Sequence, residues 1–281
     1  MQHITLATIV FSTAILFACT SDQNKKEQSS PGLNEKITNE NEAAKPVDNQ
    51  KTKTDLIKLR ITGNVKSIIE SDYLVSVKSG KTQKGKQQSQ KIIQFNDQGY
   101  QSEMSTLSPD GKLVEKSTYL YDEFGNKTEY SSVKADGSLE YKSIFKYDED
   151  GNITEESATY TDGSPYYKAT FLYDDRGNQT EYCLYNLLGE QLKKITFKYD
   201  DRNWVTEENL YKPDGNLSYR YTYKYDDKGN KTEHTAYNPD NSLRGTLTYK
   251  YEYDASGNWI KKTTLKNDKA IEITERMIES Y

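Results

Sequence analysis

Imidazole and thiol chemistry is scarce in this 281-residue chain, which has two histidines and two cysteines. A lone His234 cannot hold a metal. It also occupies a register position filled by Tyr130, Glu156, Tyr182 and Glu208 in other units. A position so interchangeable reads as a sheet-surface side chain, not a general base. Cys183 stands where Ser131, Ser157, Asn209 and Thr235 stand, with no histidine placed to activate it. Gly80-Lys81-Thr82 resembles the end of a phosphate-binding loop, but Val75 sits where that loop needs its first glycine. With Lys78, Lys84 and Lys86 nearby, it reads as a polar hairpin tip. Asp148-Glu149-Asp150-Gly151-Asn152 lacks the spaced oxygens and distal glutamate of a calcium loop, and Asp ahead of Gly is ordinary turn chemistry. The acids are spread at repeat spacing. The chain therefore reads as a non-enzyme, with no catalytic residue, no cofactor and no metal ligand.

Cys19 is the exception. Residues 4–18 are uncharged and mostly apolar, short for a bilayer span and right for a signal-peptide core. They end in Leu16-Phe17-Ala18-Cys19, which resembles a lipobox; Leu16 is too large for ordinary cleavage after Ala18. Residues 1–18 then form a lipoprotein signal peptide, and Cys19 carries the lipid that partners the membrane. Thr20, not Asp, follows the cysteine, which points to outer-membrane sorting within the cell envelope. Residues 19–54 are polar and too poor in large apolar groups to offset ordering entropy. They form a tether reaching roughly 30–35 Å as a coil.

What must position any remaining function is an internal repeat. Tyr-Asp-x-x-Gly-Asn opens at Tyr121, Tyr147, Tyr173, Tyr225 and Tyr253. The variant Tyr199-Asp200-Asp201-Arg202-Asn203-Trp204 keeps the register, and Phe95 opens a degenerate first copy. The unit is 26 residues from Tyr121 to Tyr225, and the last interval is 28. A second turn falls inside each unit, so turn glycines step by 12 and 14 residues. Asn203 and Asn241 replace glycine at two of these positions. Asn tolerates a left-handed backbone next best, so the pattern demands a positive φ there. Each turn reads as a type I turn closed by one left-handed residue.

Between turns the runs alternate with period two. Leu217, Tyr219, Tyr221, Tyr223 and Tyr225 share one face, and Ser218, Arg220, Thr222, Lys224 and Asp226 the other. So short a strand-plus-turn leaves no room for a helical crossover, which makes neighbours antiparallel. The expected fold is all-β, an elongated, twisted antiparallel meander or open spiral of β-hairpin repeats with about 15–17 strands. Repeats fill 95–258, and residues 55–94 and 259–281 supply capping strands at its two exposed edges. Tyr147, Tyr173, Tyr199 and Tyr225 recur on every second strand, roughly 9–10 Å apart, a spacing comparable to a disaccharide. They are the candidate binding face for a polysaccharide. The competing reading packs them on Phe145, Phe171, Phe197 and Tyr223 as the core that a chain poor in aliphatics requires.

Net charge is −5, with both signs intermixed, and mean hydropathy is −0.96. No basic face for nucleic acid is implied. The recurring Tyr-Asp-x-x-Gly-Asn phrase resembles the YD (RHS-type) repeat family over roughly residues 91–258, and more weakly the MORN-like repeats of antitoxin-type proteins. The YD resemblance implies a carbohydrate-binding or surface-adhesion role, although this unit is longer and the copies are few. The expected function is a non-enzymatic, lipid-anchored binding or scaffold module, with polysaccharide or an envelope protein as partner. The alternative is a protein-interaction or immunity-type repeat protein that docks by an exposed sheet edge.

Overall fold

A computed structural model describes residues 54–281, apart from Gly80 and the side chain of Lys81. The leader, the Cys19 lipobox, the tether up to residue 53 and Gly80 of the hairpin tip lie outside the described residues. One helical turn, α1 (Asp55–Lys58), precedes sixteen strands. The first eight are β1 (Val65–Lys78), β2 (Lys81–Phe95), β3 (Gln101–Leu107), β4 (Leu113–Tyr121), β5 (Lys127–Lys134), β6 (Leu139–Tyr147), β7 (Ile153–Tyr160) and β8 (Pro165–Tyr173). The rest are β9 (Gln179–Tyr185), β10 (Gln191–Tyr199), β11 (Val205–Tyr211), β12 (Leu217–Tyr225), β13 (Lys231–Tyr237), β14 (Leu243–Tyr253), β15 (Trp259–Lys266) and β16 (Lys269–Ser280).

Each strand pairs antiparallel with its chain neighbours. In addition, β1 pairs with β16 from Val65 opposite Ser280 to Leu74 opposite Glu272, so the sheet closes into a barrel. The open meander or spiral expected from the sequence is corrected by this closure. Hairpin spacing fixes only which consecutive strands pair. The twist that accumulates along the sheet brings its first and last strands together. There the two end segments present matched partners, Glu70 opposite Arg276 and Asp72 opposite Thr274. Closure removes the edges that end caps would have protected.

The turns follow the sequence pattern. The Asn96 amide donates to the Tyr100 carbonyl and the Gly99 amide to the Asn96 carbonyl, and the same pair of bonds recurs from 108–112 to 254–258. Asn203 and Asn241, the two residues replacing glycine, have φ of 61° and 64°. The Asp of the signature closes its own loop: Asp148 Oδ1 accepts the Asp150 and Asn152 amides at 3.1 and 2.8 Å, and Oδ2 accepts Asn152 Nδ2 at 3.0 Å. Asp174 and Asp226 do the same. These carboxylates serve the turn, which is why the motif repeats so faithfully.

Strand direction gathers the Tyr-Asp turns at one end of the barrel, mouth A. The mid-unit turns and the β1–β2 and β15–β16 connections gather at the other, mouth B. Between mouths, one face of the sheet is aromatic. Along β8–β10 its fully buried level includes Ala169, Tyr182, Leu184 and Ile195, with Tyr167, Phe171 and Phe197 packed against them. Ser117, Ser132 and Ser143 are wholly buried on the same face, beneath rings that lie along the wall. Burying each large side chain contributes about 1.5–3 kcal/mol.

Candidate functional site: the barrel lumen and its two mouths

Residues 54–64 form a strap across mouth A. The Asp55 carboxylate accepts from the Tyr121 hydroxyl at 2.8 Å and the Gln101 amide at 2.9 Å, and the Leu56 amide donates to the Gly99 carbonyl at 3.2 Å. Arg60 reaches the far rim. Its guanidinium lies 4.9 Å from the Trp204 ring centroid and packs on Gly229 so closely that a Cβ there would fall 1.9 Å from Nη1. Burial depresses the Arg60 pKa, against the opposing pull of Tyr225 and Asp226. Thr62 is gripped at both backbone groups by Asn258, which accepts from its amide at 2.7 Å and donates to its carbonyl at 3.1 Å. Because the strap meets β4 and β12 through their tyrosine-bearing face, that face is concave and lines the lumen.

Trp204 and Tyr100 stand where other copies have the motif Asn. Tyr100 stacks on Tyr121 at 4.9 Å, and Trp204 receives Arg60. Of the two aromatic departures at this position, Trp204 is a strap contact, and Tyr100 backs Tyr121, whose hydroxyl holds Asp55. Sequence reasoning identified the irregular copies but had no signal for what they dock.

Tyr147, Tyr173, Tyr199 and Tyr225 lie on β6, β8, β10 and β12, all near mouth A on the lumen wall and all half-buried. Three of their hydroxyls are committed to the backbone: Tyr147 donates to the Lys127 carbonyl at 2.6 Å, Tyr199 to Gln179 at 2.6 Å and Tyr225 to Val205 at 2.7 Å. Burial raises all four pKa values, and Tyr173, Tyr199 and Tyr225 are pushed up to about 12.

The register position shared by Tyr130, Glu156, Tyr182, Glu208 and His234 also faces the lumen, so His234 is a wall residue and not an outer sheet-surface one. It lies between Tyr221 and Tyr223, with centroids at 5.3 and 5.2 Å. Burial first, and Lys231 second, lower its pKa to about 4. Glu156 accepts from Tyr167 at 2.6 Å and Glu208 from Tyr223 at 2.9 Å. Lys231 sits 3.9 Å from the Tyr223 centroid. Burial lowers its pKa, although part of the side chain stays exposed. Sixteen strands is the size at which barrels enclose an aqueous channel. Cys183 is buried on the opposite face, its thiol 3.3 Å from Glu181 Oε1.

The opposite, outer face carries a charge ladder built on the Thr-Glu positions. Glu155 is held by Lys146 at 3.0 Å and Lys168 at 2.5 Å. Glu129 pairs with Lys142, Glu181 with Lys194, Glu207 with Lys198 and Glu233 with Lys224.

No protein-family model matches the chain, and no curated protein matches it. Among solved structures it is similar to a porin-like protein from Bacteroides uniformis ATCC 8492. The identity is 12%, the match covers 76% of this chain and 98% of that one, and the TM-score is 0.52. The fold is a porin-like β-barrel. A porin-like protein from Bacteroides vulgatus ATCC 8482 matches at 12% identity over 78% of this chain and all of its own, with a TM-score of 0.46. A chain of the Photorhabdus luminescens Tc holotoxin pore matches at 12% identity over 68% of this chain and 12% of its own, with a TM-score of 0.30. Within this porin-like barrel the arrangement offers aromatic faces, hydroxyls and paired charges.

Proposed function

We propose that the protein is a non-enzymatic cell-envelope lipoprotein, tethered through Cys19, whose barrel stands in water and binds an extended ligand, carbohydrate foremost, in its aromatic lumen. The observation that carries this reading is the orientation of the two faces. A membrane-embedded barrel needs an outward apolar band about 25 Å tall, and an outward Lys or Arg at the midplane costs about 2–4 kcal/mol. Here the outward face holds the Glu129, Glu155, Glu181, Glu207 and Glu233 ion-pair ladder, while the tyrosines point inward. A barrel with this distribution is soluble in itself and needs the lipid to stay at a membrane.

Docking of a protein partner by strand addition is less well served. Among the described residues, unpaired strand edges are short: the β1–β2 tip beyond Leu74 and before Gln90, the start of β14 before Leu247 and the start of β16 before Glu272.

Fractionation of the native envelope tests the proposal. Wild type should label with palmitate and sediment with membranes, and Cys19→Ala should do neither while remaining folded. A Cys19→Ala protein that resists alkaline carbonate extraction would show that the barrel itself is embedded and would sink the reading.

A further inference from the structure

On the outer face of the barrel each glutamate of the ladder holds a lysine. The lumen wall of β13–β16 breaks this rule. Lys231 on β13 and Lys262 on β15 have no ion-pair partner among the described residues. Lys262 stands at the register position that holds Glu156 and Glu208 in earlier units, so the last unit puts a cation where those put an acid. A ring face orients each ammonium without neutralising it: Lys231 Nζ lies 3.9 Å from the Tyr223 centroid and Lys262 Nζ 5.8 Å from the Trp259 centroid.

Direct contacts bring these lysines to one place. Tyr251 lies opposite Lys262 in the β14–β15 register, and its hydroxyl donates to the Lys231 carbonyl at 2.9 Å. The Tyr251 and Trp259 centroids are 5.9 Å apart, and Arg276 Cζ lies 3.4 Å from the same Trp259 centroid. Burial lowers the Lys231 pKa; Glu208 opposes this, and the positive charge of Lys262 adds to it. The acids in reach are taken up. Glu208 accepts from the Tyr223 hydroxyl, Glu272 from the Thr264 hydroxyl at 3.4 Å, and Glu70 Oε1 takes both Nε and Nη2 of Arg276. Arg276 Nη1 is left over. It is buried and has no hydrogen-bond partner, on a side chain only 7% exposed. A guanidinium nitrogen can only donate, and a buried donor without an acceptor is costly. Lys231 is exposed and Lys262 half-buried, so both side chains meet solvent. Two accessible ammoniums, a fixed guanidinium with a spare donor and two ring faces are the elements that hold an anionic oxygen group.

We propose that the wall formed by Lys231, Tyr251, Trp259, Lys262 and Arg276 is a subsite for an anionic oxygen group, carboxylate or phosphate, on the ligand of the lumen. It rests on the lumen-binding reading above and narrows it: the extended ligand is acidic, and its uncharged part lies along the Tyr251 and Trp259 faces. Lys127 on β5 stands at the register position of Lys231 on the opposite wall, beside Tyr119 and Phe145 and without this cluster.

The test is titration of the folded barrel with hexagalacturonate, with neutral cellohexaose and with short-chain inorganic polyphosphate. Hexagalacturonate should bind about ten-fold or more tighter than cellohexaose, and its affinity should fall as salt is raised. Affinity should drop about ten-fold or more in Lys231→Gln/Lys262→Gln, with an unchanged melting temperature, because both side chains meet solvent. Lys127→Gln should bind as wild type does. Trp204→Phe leaves Trp259 as the only tryptophan, and its emission should change on binding. Cellohexaose binding as tightly as hexagalacturonate, undiminished in the double lysine variant, would overturn the subsite and leave the carbohydrate reading standing. Polyphosphate binding through the same lysines, with neither sugar bound, would uphold the subsite and end the carbohydrate reading. An equal loss in Lys127→Gln would overturn the assignment to this wall. If none of the three probes binds, the subsite and the carbohydrate reading fall together.

Discussion

Arg276 and Glu70, 206 positions apart in the chain, close the barrel: Nε and Nη2 of Arg276 donate to Glu70 Oε1 at 3.1 and 2.6 Å. The guanidinium also lies 3.4 Å from the Trp259 centroid, and its side chain is only 7% exposed. Beside it, Thr274 donates to Asp72 at 2.7 Å, and Ser89 donates to the other Asp72 oxygen at 2.8 Å. This seam joins β1 to β16 without a hairpin, so side chains must specify what elsewhere the turns specify.

Removing one partner of a buried ion pair strands the other in a low-dielectric site. Arg276→Ala should therefore destabilise the barrel by about 3–5 kcal/mol in urea denaturation. Replacing both partners, Glu70→Leu with Arg276→Leu, should cost much less, since no charge is left uncompensated. Equal losses for the single and double variants would remove the pair from the closure argument.

The strap should detach when its far anchor is lost. Trp204→Asn restores the repeat consensus and takes away the ring against which Arg60 packs. Amide exchange in residues 55–62 should accelerate in Trp204→Asn and in Arg60→Ala, with exchange in β5–β10 unchanged. Global stability should fall by only about 1 kcal/mol, the scale of one partly solvated cation–π contact. Unaltered strap protection would mean that Asp55 and Thr62 hold it unaided.

Backbone geometry and crowding should separate at the turn positions. Gly151 has φ of +79° and its nearest neighbour for an added Cβ is Asn126 Oδ1 at 4.0 Å. Gly151→Val therefore meets a conformational penalty alone, about 1–3 kcal/mol. Asn203→Gly relieves that penalty and should be neutral or mildly stabilising in thermal melts. Gly229→Ala is different, because its Cβ would collide with Arg60 Nη1. It should loosen the strap as well as strain the turn.

His234 makes stability fall in acid. Its folded pKa of about 4 lies below the ordinary 6.5, so between those values the unfolded chain binds the extra proton and stability rises with pH. Acidification from about pH 6.5 towards 4 should thus cost on the order of 2 kcal/mol, after allowance for the partial solvent exposure of the ring. His234→Tyr, the residue at the equivalent positions 130 and 182, should flatten that part of the pH profile. A profile unchanged in His234→Tyr would assign the acid sensitivity to other groups.

The sequence by itself determined the local structure. Glycine steps of 12 and 14, with Asn at the two gaps, specified the positive-φ turn positions, because a left-handed backbone admits few residue types. The turns in their order specified antiparallel strands, and alternation specified which residues share a face. Only the tertiary structure decided that the aromatic face is concave and the Glu–Lys face convex, since period two sorts residues into two sets without saying which is inside. Only it decided that β1 meets β16, because Glu70 and Arg276 share no local signal across 206 residues. The strap was illegible for the same reason: Arg60 and Trp204 become partners only when the rim curves round to bring them together.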